Sequence, residues 1–198
     1  MRGLAGLLLA SLTLTAGAPW KEGDLLFQTS RSTQSAAVQA ATHSKWSHMG
    51  LLFRKGRRWM VLEAVQPVKY TALEAWIRRG EGGHVEARRL KATVKRLSVQ
   101  DVARLRREGE RFLGRPYDLT FEWDDRRIYC SELVWKAYDR ALGLKLGTLQ
   151  TLADFDLTDP TVRRKMAERY PKGVPSSMFV ISPQAMYDAP DLEAAWSR

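Results

Sequence analysis

The apolar positions of this chain fall into short runs between turn residues and into stretches of helical spacing, and together they predict a mixed α and β architecture. "GDLLFQTS", opened by Gly23, reads as a short strand, and the Ala-rich segment from Ser35 to Ser44 reads as a small helix. Two apolar runs, Met49 to Phe53 and Trp59 to Val65, flank a basic turn containing Gly56, which predicts a β-hairpin. Thr71 with Glu74 has the spacing of a capping box, so a helix is expected from there to Gly80, followed by a strand at "HVEARRL". A further helix is predicted over residues 98–114 behind Ser98. Another starts at Cys130, where Leu133, Val134, Ala137, Tyr138 and Ala141 recur at helical spacing. The tail predicts a helix after Asp159 and Pro160, a strand at "MFVIS", and a short helix from Ser182 and Pro183.

Length and leader set the next bounds. The chain has 198 residues, which suits one domain with a substantial core. Arg2, the apolar run from Leu4 to Leu14, and the small residues Ala16 and Ala18 form the pattern of a cleaved signal peptide over residues 1–18, with Pro19 obscuring the cut. The expected mature domain is then 19–198, periplasmic or secreted. No cysteine follows the leader to carry a lipid anchor.

The net charge of +10 is concentrated locally: between Arg78 and Arg115 there are twelve lysines and arginines against five acids. This stretch is either a solvated face or a surface attracted to anionic lipid or acidic wall polymer. Export argues against nucleic acid as a partner.

Cys130 is the only cysteine in the chain. An unpaired thiol in an exported protein is either a small core residue or a reactive group, and a helix N-terminus favours its thiolate. A nucleophilic cysteine needs a base and a group that orients the base. Of the three histidines, His43, His48 and His84, only His48 lies in the hairpin. A two-residue turn at Lys55 and Gly56 sets Leu52 opposite Trp59, Gly50 opposite Val61, and His48 opposite Glu63. Opposed Cβ atoms stand about 4.5 to 5.5 Å apart, so Glu63 can hold the imidazole. One cysteine and scattered histidines do not make a zinc site, and neither metal nor cofactor is expected.

The segments "GDLLFQTS", "KWSHMG", "VLEAV", "GRPYDLTFEWDDRRIYCSELVWKAY" and "ISP" resemble the YiiX-like proteins, a branch of the NlpC superfamily of cysteine amidases with a circularly permuted papain-like fold. The resemblance implies an α+β fold in which a small antiparallel curled sheet or barrel packs on the nucleophile helix. It also implies that Cys130 is the nucleophile, His48 the base and Glu63 the third residue. Tyr117 and Tyr129 are candidates to line the substrate cleft, with ordinary aromatic packing as the alternative. The expected activity is hydrolysis of amide or related acyl bonds on cell-envelope peptides. Two alternatives stand beside it: a lipid acyl hydrolase or acyltransferase acting on acylated lipid, and a catalytically silent envelope-binding module.

Overall fold

The computed structural model describes residues 20–197; the expected signal segment, residues 1–18, lies outside them. Among the described residues eight strands form, β1 (Leu25–Gln28), β2 (His48–Lys55), β3 (Arg58–Glu63), β4 (Lys69–Ala72), β5 (Glu86–Leu90), β6 (Gln150–Thr151), β7 (Phe179–Val180) and β8 (Leu192–Ser197). Six α-helices accompany them, α1 (Thr33–Thr42), α2 (Leu73–Arg79), α3 (Val99–Glu110), α4 (Cys130–Leu142), α5 (Pro160–Arg169) and α6 (Pro183–Tyr187). The main sheet runs β4-β3-β2-β1-β5-β8 and is antiparallel throughout, while β6 and β7 make a separate pair. It is an open curled sheet, with β4 and β8 at its edges, and not a closed barrel.

Both faces of the sheet are covered, which explains why β1 and much of β2 are continuous apolar runs without alternation. Leu25, Phe27, Met49, Leu51, Phe53 and Leu62 pack with Leu105 of α3 and with Leu133, Val134, Ala137 and Tyr138 of α4. On the opposite face Leu26, Leu52 and Val61 meet Leu73 and Trp76 of α2. The nucleophile helix of the sequence expectation therefore lies against one face of the sheet, and α2 lies against the other.

Three local expectations are corrected. The hairpin turns at Gly56 and Arg57, not at Lys55 and Gly56, so Lys55 pairs with Arg58 and Leu52 with Val61. Gly56 has φ 60° and takes the first loop position, where a two-residue hairpin favours glycine. Pairing thereby slips by two residues. A slip of two leaves every side chain on its expected face, because the strand period is two.

Thr71, expected to cap α2, lies in β4, and Ala72 occupies the cap position without a side-chain hydrogen bond. The strand "MFVIS" shrinks to the two residues of β7, whereas β8, at the end of the chain, extends the main sheet beyond β5. Its side chains mix exposed and buried positions in no clean alternation, so the periodicity carried little signal.

Candidate active site

Cys130 is the first residue of α4, a position where backbone amides lack intrahelical partners and the helix dipole favours an anion. The side chain is buried, and its neighbours are the imidazole of His48 and the backbone amide of Met49 at the start of β2. Burial by itself raises the thiol pKa. Hydrogen bonding to His48 and its charge, together with the Met49 amide, outweigh burial and bring the thiol below its ordinary 9.0. His48 moves the other way: burial lowers it, but hydrogen bonds to Cys130 and Glu63 carry it up from 6.5 to about 9. The favoured state of the pair is thiolate with imidazolium.

Glu63, the last residue of β3, has no solvent exposure. Its Oε2 lies 2.6 Å from His48 Nε2 and accepts a hydrogen bond from Trp76 Nε1 at 2.9 Å and another from Arg79. Its Oε1 accepts from the Thr71 hydroxyl at 2.6 Å. Burial raises the carboxyl, yet the bond and charge of His48, followed by the bonds from Arg79 and Thr71, bring it down from 4.5 to about 2. A carboxylate that receives four donors is held ionised and immobile. With Nε2 bound to Glu63, Nδ1 is the ring nitrogen left for the thiol. The structure thus brings Cys130, His48 and Glu63 into one chain of contacts, although His48 and Glu63 meet along a diagonal of the hairpin and not across a rung.

The other two histidines also have carboxylate neighbours. His43 is 3.3 Å from Asp156 and His84 is 3.2 Å from Glu86, but both rings are substantially exposed and neither is linked to the thiol. Glu132, in the first turn of α4, is buried. Burial outweighs Lys136, 2.6 Å away, and pushes its carboxyl up to about 8.

Tyr117 and Tyr129 take different roles. The Tyr117 hydroxyl reaches the Cys130 thiol and accepts a hydrogen bond from Gln34 at 3.2 Å, while burial and the Cys130 charge raise it well above 10.0. The Tyr129 hydroxyl accepts a hydrogen bond from the Ile181 amide at 3.0 Å, and Tyr129 lines the cavity beside Cys130.

Sequence reasoning missed Thr71, Trp76 and Arg79, the other ligands of Glu63. Trp76 and Arg79 are spaced i, i+3 on α2, which marks a shared helix face, but nothing local says that this face lies over the end of β3.

A papain-like arrangement, with a thiol at a helix start facing a histidine at a strand start, defines the class as a cysteine hydrolase. The chain belongs to the family described as "Permuted papain-like amidase enzyme, YaeF/YiiX, C92 family", whose model matches residues 19–195. It is 48% identical over 185 residues to "Uncharacterized protein YiiX" of Escherichia coli (strain K12), covering 93% of this chain and 90% of that one. It is also similar to a crystal structure, "metalloprotein yiiX from Escherichia coli O157:H7, DUF1105", with 47% identity and a TM-score of 0.85 over 90% of this chain and 97% of that one.

The word metalloprotein prompts a test of fit. Among the described residues no three His, Cys, Asp or Glu side chains are grouped to hold a metal ion. Glu63 occupies one nitrogen of His48 and leaves the other to Cys130, so these three do not converge on one point. The residues present do not fit a metal centre.

Proposed function

We propose that this cysteine hydrolase cleaves amide bonds of cell-envelope substrates with Cys130 as nucleophile, His48 as proton carrier and Glu63 as the group that orients and charges His48. The buried chain from thiol to imidazole to carboxylate is the observation that carries this reading. The thiolate attacks the carbonyl carbon, and the Cys130 amide, at the start of α4, and the Tyr117 hydroxyl serve as donors to the developing oxyanion. The C–N bond breaks as imidazolium gives its proton to the departing amine, leaving a thioester. Water then attacks the thioester as His48 takes its proton, and the sulfur leaves as thiolate, which releases the carboxylic acid and restores the thiolate–imidazolium pair.

The envelope placement is supported by the leader pattern of residues 1–18. Association with anionic lipid or wall polymer is proposed in reduced form. Within the basic stretch Arg79, Arg89, Lys95, Arg104, Arg106 and Arg111 are engaged with Glu63, Asp24, Asp101, Glu22 and Glu108, which lowers the charge free to attract such a surface.

The test is turnover. The mature protein is incubated with peptidoglycan fragments and with acylated lipids, and products are read by mass spectrometry. Hydrolysis that disappears in Cys130→Ala supports the reading; hydrolysis that persists in that variant removes it.

A further inference from the structure

A broad cavity of about 590 Å³ opens on the imidazole side of the catalytic pair, and its wall is cationic. His48, Arg31, Arg79 and Gln66 line it, whereas the Cys130 thiol opens on a separate apolar cavity walled by α1 and α5. No aspartate or glutamate is among the lining residues. Glu63, buried against His48 and Arg79, offsets one of the three positive charges, so two remain.

Backbone pairing sets the two arginines side by side. Ser30 bridges Gly80 in the antiparallel sense, so the next opposed positions are Arg31 and Arg79. Like charges opposed in this way repel. Arg31 is exposed and has no ion-pair or hydrogen-bond partner among the described residues. Arg79 engages Glu63 through Nη2 and its side chain is 37% exposed, so the rest of its planar fork is left for a ligand. Gln66 Oε1 accepts from the Tyr117 amide at 2.6 Å, which leaves the Gln66 NH₂ as a further donor to the cavity.

The chemistry of the departing amine says what those donors hold. It must be reached by the proton on His48, which places it on the imidazole side, in the broad cavity. His48 Nε2 and the Arg79 guanidinium contact the same oxygen, Glu63 Oε2, so the two groups are neighbours across a single atom. An α-carboxylate stands two bonds from its amine nitrogen, a matching short span, and it suits the guanidinium fork. We infer that the broad cavity binds the α-carboxylate of the leaving group, so that the enzyme releases free amino acids from amides formed on their amino groups. This rests on the Cys130 hydrolase reading and narrows its leaving group. As the C–N bond breaks, the acyl carbon stays on sulfur, the nitrogen takes the imidazolium proton, and the carboxylate remains paired with Arg31 and Arg79.

The experiment runs this step backwards on the purified protein. p-Nitrophenyl acetate acylates Cys130 and expels nitrophenolate; an added amine then attacks the thioester, the C–S bond breaks, and His48 takes the amine's proton. Glycine and glycinamide are compared as acceptors, with the N-acetyl product and free acetate read by mass spectrometry. Each rate is divided by that of the same amine with a free acetyl thioester, which removes the difference in basicity. Glycine is expected to be preferred by about tenfold or more, the effect of one hydrogen bond to a charged group. Arg31→Gln and, separately, Arg79→Gln should bring the preference toward unity. The preference is the quantity compared because a loss common to both acceptors, such as a disturbed Glu63, cancels. Iodoacetamide labelling of Cys130 shows that each variant retains its thiol site. Equal use of glycine and glycinamide, or a preference unchanged in both variants, overturns the inference while acetylation of Cys130 upholds the hydrolase. Faster transfer to 2-aminoethyl phosphate than to glycine overturns it in favour of a phosphate site. An acetyl-enzyme that no amine intercepts overturns it as well. Failure of the ester to acylate Cys130 takes down the hydrolase reading and this inference together.

Discussion

His48 and Glu63 form a 2.6 Å contact without being partners across the hairpin. In the observed register Glu63 stands across from Gly50, and His48 reaches the carboxylate one step further along the same face. The diagonal works because the position between them carries no side chain. A Cβ on Gly50 would lie 2.6 Å from Val61 Cγ1, 2.8 Å from the Leu62 carbonyl oxygen and 3.4 Å from Glu63 Cβ.

Gly50→Ala is accordingly expected to be far more damaging than a surface alanine. The obstruction includes backbone, so β2 and β3 must separate, at a cost of about 1–3 kcal/mol as for other overpacked cores. Urea unfolding measures the loss, and acylation of Cys130 should fall with it because His48 and Glu63 are pushed apart. An unchanged unfolding midpoint would contradict the close approach.

Glu63→Gln should lower turnover by about 10²- to 10⁴-fold, the range expected when a buried carboxylate behind a catalytic histidine becomes an amide. All four partners of the carboxylate are donors, so a glutamine NH₂ must face at least one of them. The comparison to make is kcat/KM of the two proteins on one substrate. A loss under threefold would mean that Glu63 only packs.

Stability should depend on pH through the same carboxylate. Its pKa in the folded protein, about 2, is below the 4.5 of the free group, so its contribution is present above pH 4.5 and is lost as pH falls toward 2. The urea midpoints of the unsubstituted protein and Glu63→Gln should therefore differ at pH 6 and converge in acid. A gap that stays constant across that window would show that the charge of Glu63 does not contribute.

Cys130 should alkylate as a thiolate at pH values below 9.0, and His48→Ala should move the midpoint of iodoacetamide labelling upward, because that variant loses the imidazolium while burial remains. The midpoint belongs to the coupled pair. A thiol that labels only on unfolding would make the silent binding module the better description.

How much of this was legible beforehand differs from residue to residue. Helix and strand segments followed from periodicity and caps, as at Ser98 with Asp101 and at Asp159 with Pro160, because those signals are local and complete within a few residues. Cys130 at a helix start was legible for the same reason. Thr71 shows the limit of such signals: its hydroxyl suits a cap equally well in sequence, but the buried carboxylate of Glu63 is the stronger acceptor and holds it in β4.

By itself the sequence singled out Cys130, His48 and Glu63 as candidates and determined which face of the hairpin His48 and Glu63 share, since parity along a strand survives a slip of two residues. Only the tertiary structure decided that the pair is diagonal, that Thr71, Trp76 and Arg79 charge and fix Glu63, and that α1 and α5 wall an apolar cavity beside the thiol. Those arrangements join residues far apart in the chain, through packing of whole elements against one another. Local periodicity reports that an element has a buried face, but not which other element will cover it.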